Sequence, residues 1–252
     1  MPNKINAAYR VRELLIQVQK QPNKNVGELW ADLFNISETN QNKRNFEVSR
    51  CLNQLHEEIE LIRDQMLETQ FSESLYTPLL NRANNVVAVQ NIPGTWDSYK
   101  TQITPELILC LGYCSEILDS EENEISDEQI KEILDLLQPL EEKLGESSLP
   151  PYTTKIIRKH IEKIKGAIHS YPIIGAKALN EVVQSAYGEV VDNIAIFEES
   201  KETEEVKTIS KVWQKVKEVS DAASTVEKGV SSAFKLVDKA SKALEYFQSF
   251  KE

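Results

Sequence analysis

Residues 209–247 read ISKVWQKVKEVSDAASTVEKGVSSAFKLVDKASKALEYF, with an apolar residue at every third, then fourth, position. The run is Ile209, Val212, Val216, Val219, Ala223, Val226, Val230, Ala233, Val237, Ala240, Leu244 and Phe247. A 3-4 spacing held this long predicts one continuous helix with a buried seam. Written as heptads, Ile209 is an a position and Val212 a d position. The d set contains no Leu, and e carries Trp213, Ser220, Glu227, Phe234, Ser241 and Gln248. From Ala222 the g set is Ala222, Gly229, Leu236, Ala243 and Phe250. The apolar arc is therefore wider than the seam of a two-stranded zipper and calls for at least two neighbouring helices. Trp213, Val226, Gly229, Val230, Phe234 and Val237 are the residues on this arc expected to meet a partner.

Outside this run the chain has the same character. It holds 252 residues, 40% apolar and 27% charged, with only eight Gly. Strand signals are nearly absent, and Val86-Val87-Ala88-Val89 sits at the end of a helical pattern. The expected fold is all-α, a multi-helix bundle of about nine or ten helices ending in a very long amphipathic helix. A helix over about 203–249 would reach about 70 Å. Caps and periods place the others at about 4–20, from Asn25, at 41–70, from Thr77-Pro78 to about Gln90, from Thr104-Pro105, from Ser126, and at 153–169 and 173–198. Asn91-Ile92-Pro93-Gly94 breaks the first half, Pro139 is expected to kink or end its helix, and 145–151 (GESSLPP) reads as a linker. These breaks give three regions: an N-terminal helical region over 1–92, an acidic helical region over 93–147, and a C-terminal bundle over 148–252. No repeat of fixed period marks a solenoid.

The net charge of −11 disfavours general affinity for nucleic acid or anionic lipid. It is unevenly spread, since residues 201–252 hold ten Lys and nine acids. Three Cys form no disulfide framework, the N-terminus builds no signal-peptide core, and no stretch approaches the roughly 18 apolar residues of a membrane span. A cytoplasmic protein is the expectation.

No catalytic or cofactor constellation can be assembled. His56 lacks the second His of a zincin helix, and His160 and His169 lie on opposed helix sides, so both read as structural. Cys110 and Cys114 share a helix face among Leu107, Ile108, Leu109 and Leu111 and read as small core residues rather than the start of a zinc site. Twelve acids fall between Glu116 and Glu146, and the next helix carries Lys155, Arg158, Lys159, Lys163 and Lys165. An acidic helix followed by a basic one suggests an antiparallel pair matched in charge. This internal pairing is favoured over a nucleic-acid face made of Lys155, Arg158, Lys159 and Lys163. Gly188 and Gly229, each within a helix, suggest close helix approach.

The stretch LPPYTTKIIRKHIEKIKGAI (149–168), with Ile174-Gly175-Ala176-Lys177-Ala178-Leu179 and Ala186-Tyr187-Gly188-Glu189, resembles a pattern in uncharacterised bacterial all-helical proteins, some of them in anti-phage or conflict gene clusters. The likeness covers about 45 residues and implies bacterial origin and a defence setting, with no active-site residues to transfer. The functional expectation is a non-catalytic adaptor, without metal or cofactor, that binds another protein or itself through helices. The alternative is a membrane-active, pore-forming effector that uses residues 203–250.

Overall fold

The computed structural model describes residues 5–223, leaving aside the side chains of Tyr187 and Val191. The described residues are all-helical, with two isolated bridges (Ile5 with Glu122, Asn25 with Thr95) and no strand. Eleven α-helices succeed one another: α1 (Ala7–Gln19), α2 (Val26–Leu33), α3 (Gln41–Leu67), α4 (Thr77–Val87), α5 (Asp97–Lys100), α6 (Pro105–Ile117), α7 (Asp127–Lys143), α8 (Pro151–Ile174), α9 (Lys177–Asp192), α10 (Ile194–Glu199) and α11 (Glu204–Ala223). Two 3-10 turns, Glu73–Leu75 and Val89–Asn91, flank α4.

Local chemistry sets most boundaries. Asn6, Asn25, Asn40 and Thr104 each accept a backbone N–H from the first turn of the helix they precede. Ser126 and Gln129 complete a capping box at the start of α7. Pro139 does not end its helix. α7 runs through it to Lys143, held by Ile133, Leu137 and Leu140, which are all buried. Pro172 likewise lies inside α8, and the helix stops instead at Gly175, whose φ of 67° is left-handed. The expected single helix over 173–198 is thus the end of α8, all of α9, and α10 after an irregular Asn193. The long C-terminal helix is described only as α11; residues 224–252, with Val226, Gly229, Val230, Phe234 and Val237, lie outside the described residues.

The chain divides into two compact units: residues 1–122 with 169–175, and residues 123–168 with 176–252. The boundary falls at 122/123, inside the acidic region read from sequence as 93–147. The reason is packing, because α6 lies on α1 and α4, whereas α7 lies on α11.

In the first unit α1 packs against α3 and α6, and α3 also carries α2 and α4. Trp30 stacks on Phe34 at 5.4 Å between ring centroids and meets the edge of Trp96 at 6.4 Å. The 91–96 break is sewn to α2 by backbone bonds from Val26 to the Gly94 carbonyl and from Gly27 to the Ile92 carbonyl. Elsewhere in this unit Arg10, 7% exposed, donates to Glu58, Glu121 and Glu122 at 2.6, 2.7 and 3.1 Å, and through Nε to the Ile173 carbonyl. Burial alone would lower its pKa, but the three carboxylates outweigh that and raise it. In the second unit α11 buries Val206, Ile209, Val212, Trp213, Val216, Val219 and Ala223 and packs on α7 and α9.

Candidate functional site

An open, apolar cavity of about 530 Å³ lies in the first unit. Met66 at the end of α3, Phe71, Leu75 of the 3-10 turn, and Tyr76 and Leu79 of the α4 entry form one wall. The other is α6, through Glu106, Leu109, Cys110, Tyr113, Cys114, Glu116 and Ile117. Its volume falls within the range typical of ligand and peptide sites.

The helix that makes this wall is unusual. From Leu107 to Leu111 every residue is apolar or Cys, so α6 has apolar side chains beyond those its neighbours can cover. Leu107, Leu111, Cys114 and Ser115 are buried. Leu109 and Tyr113 stay 57% and 62% exposed, facing Phe71 at 49% and Leu75 at 64% across a shared cavity. Four large apolar side chains left in solvent around one cavity make a surface that gains from being covered.

Inside it, Tyr76 is 2% exposed and its hydroxyl has no hydrogen-bond partner; burial pushes its pKa up. Cys114 is buried as the sequence suggests, whereas Cys110 is half-buried and lines the cavity. A hydrogen bond with Cys110, reinforced by burial, holds the Cys114 thiol protonated, so Cys110 is the easier of the two to ionise. No group of three or more His, Cys, Asp and Glu among the described residues is placed to hold a metal ion.

Of the residues singled out from the sequence, Trp213 and the basic residues of α8 lie in the second unit, while Val226, Gly229, Val230, Phe234 and Val237 fall outside the described residues. Trp213 is 2% exposed, and its indole N–H donates to His160 Nδ1 at 3.1 Å. Because indole nitrogen only donates, the neutral imidazole must carry its proton on Nε2, which lies 3.2 Å from Glu189 Oε2. Lys159 and Lys163 both converge on the Glu189 carboxylate, the latter at 2.8 Å. Burial, helped by the two lysines, brings the His160 pKa down to about 4 despite the facing carboxylate. Glu189 goes down to about 2, since its lysine contacts and His160 outweigh its partial burial.

Arg158 donates to the Leu144 carbonyl at 2.9 Å, Lys165 pairs with Glu141 at 2.6 Å, and Lys155 is exposed. Four of these five cations, Arg158, Lys159, Lys163 and Lys165, are thus engaged by acceptors within the unit. The expected match of α7 with α8 is realised only through Lys165–Glu141. Glu132 of α7 instead takes Lys215 of α11 at 2.6 Å, and Lys159 and Lys163 of α8 go to Glu189 of α9. Gly188 marks no close approach, since an added Cβ would meet nothing within 4 Å.

The sequence reading missed the cavity residues. The signal available was α6 itself, an apolar run too wide for one buried face. Whether such a run is wholly covered depends on neighbours distant in sequence, here Phe71 and Leu75.

No family model, curated protein or solved structure matches this chain.

Proposed function

We propose that the protein is a non-catalytic adaptor that binds another protein through the cavity of its first unit. The observation that supports this is the ring of Phe71, Leu75, Leu109 and Tyr113 left exposed around an apolar cavity large enough for several side chains. Protein interfaces concentrate their energy in such central apolar and aromatic anchors. The resemblance in 149–189 would place an adaptor of this kind in a bacterial defence setting. The membrane-active alternative has less behind it. The described part of its segment, α11, spends its apolar face on α7 and α9.

Selection of a displayed random-peptide library on the full chain tests the proposal. Enriched peptides should lose about 30-fold or more in affinity against Leu109→Glu and Leu75→Asp, the scale of a hot-spot loss. Both positions are exposed, so the variants should keep the wild-type circular dichroism spectrum. Recovery of no peptide, or of peptides indifferent to both variants, would sink the reading.

A further inference from the structure

The chemistry of the partner can be read from the charge around the cavity. On α6, Glu106, Leu109, Tyr113 and Glu116 keep a 3-4-3 spacing and so form one stripe, with an acid at each end and two apolar anchors between. All four line the cavity and all four are exposed. Glu73, in the same 3-10 turn as the lining residue Leu75, is also exposed. Among the residues lining the cavity, every charged one is acidic. The pattern extends beyond the lining, because no basic residue occurs between Arg63 and Arg82, or between Lys100 and Lys131.

Resting on the adaptor reading above, we infer that the occupant is a basic amphipathic helix of a partner protein. Its apolar residues fill the cavity, and its Lys or Arg residues meet Glu106 and Glu116. Those two acids stand ten positions apart along α6, about 15 Å at helical rise. A partner helix laid along α6 matches them with two apolar residues four apart and a base three residues beyond each. The described residues offer no strand edge for an extended peptide to join, whereas a groove walled by helices takes side chains at helical spacing. Met66 and the two Cys at the wall give it a soft, adaptable lining. An anionic occupant, whether fatty acid, phosphate or acidic peptide, would bring its charge up against the carboxylates of Glu106 and Glu116, the charged side chains in the lining.

The test uses the full chain and fluorescent helical peptides with a Lys-x2-Leu-x3-Leu-x2-Lys core, beside a counterpart with Glu for Lys. Fluorescence anisotropy should show 1:1 binding of the basic peptide, at least tenfold tighter than the acidic one. Affinity should fall about tenfold or more in the double variant E106K/E116K and largely vanish in L109E, with E106K alone intermediate. The same reversal at Asp135 and Glu181, exposed acids of the other unit, should leave the affinity unchanged. Equal binding of the two peptides, or indifference to E106K/E116K in a folded protein, would overturn the inference. So would binding to phosphatidylglycerol vesicles without binding to the basic peptide. Library peptides that need Leu109 but carry no flanking bases would remove this inference and leave the adaptor reading standing. Failure of every peptide at Leu109 would remove both.

Discussion

Arg10 gathers three carboxylates and a backbone carbonyl onto one guanidinium in the interior of the first unit. Such a cluster is asymmetric in its energetics. Its formation contributes little against an apolar alternative, but removing one member strands the others in a medium that solvates them poorly. Arg10→Met keeps much of the volume and deletes the cation. Glu58 and Glu122, 5% and 6% exposed at their side chains, then lose it. The expected loss is about 3–5 kcal/mol, read from urea denaturation at neutral pH. In the second unit the sensitive residue is His160. Its folded pKa of about 4 lies below the ordinary 6.5, so the unfolded chain takes up the proton first as pH falls. The stability that the neutral ring contributes is complete above pH 6.5 and is lost as pH falls toward 4. Between pH 7 and pH 5 the loss is about 2 kcal/mol. Denaturation of His160→Gln, whose amide can still accept from Trp213, should show a flatter dependence over the same window. An unchanged slope would show that His160 is not the group responsible.

At the scale of elements, caps and periods were legible because their physics is local. Asn25, Thr104 and Ser126 announce α2, α6 and α7 by bonds to residues three positions on. Helix ends that depend on distant packing were not legible. Pro139 reads as a kink or an end, and 169–173 as a gap between helices, yet α7 runs through Pro139 and α8 through Pro172. The true stop after α8 is Gly175, and it is enforced twice. Its φ of 67° disfavours a side chain, and a Cβ there would fall 2.3 Å from the Glu122 carboxylate, one of Arg10's partners. Gly175→Ala is therefore expected to destabilise the protein by at least 1–3 kcal/mol, measurable in the same denaturation experiment. The candidate site was illegible for a related reason. The pattern of α6 shows an excess of apolar residues but not which of them stay uncovered. The structure answers with Leu109, Cys110 and Tyr113, which gives a chemical check of the cavity. Under limiting iodoacetamide Cys110 should be alkylated before Cys114 and Cys51; Cys51 is buried and its thiol is pushed up to about 11. Equal labelling of the three would count against an open cavity walled by α6.

For the whole molecule, the division of the chain matters more than the number of helices. Neither unit is a contiguous stretch, because residues 169–175 belong with 1–122 although 123–168 intervene. Those seven residues are functional parts of the first unit. Ile173 supplies the carbonyl that takes Arg10 Nε at 3.0 Å, and Ser170 donates to Gln54 at 2.9 Å. A sequence pattern shows where a helix begins but not that its last turn completes a core begun about 160 residues earlier, so the three-region reading cut the chain in other places. The consequence can be measured by truncation. A fragment ending at residue 92 lacks α6, one of the helices on which α1 packs, and lacks Glu121 and Glu122, two of Arg10's three carboxylates. It should give the collapsed amide spectrum of an unfolded or molten chain. A fragment ending at Glu122 keeps all three carboxylates and both walls of the cavity but leaves Arg10 Nε buried without its carbonyl. It should be folded yet weaker, by about 1–3 kcal/mol for the stranded charged donor alone. Adding 169–175 as a separate peptide in excess should recover part of that loss. If the shorter fragment folds as well as the longer one, the first unit is complete by residue 92, and its core has been drawn in the wrong place.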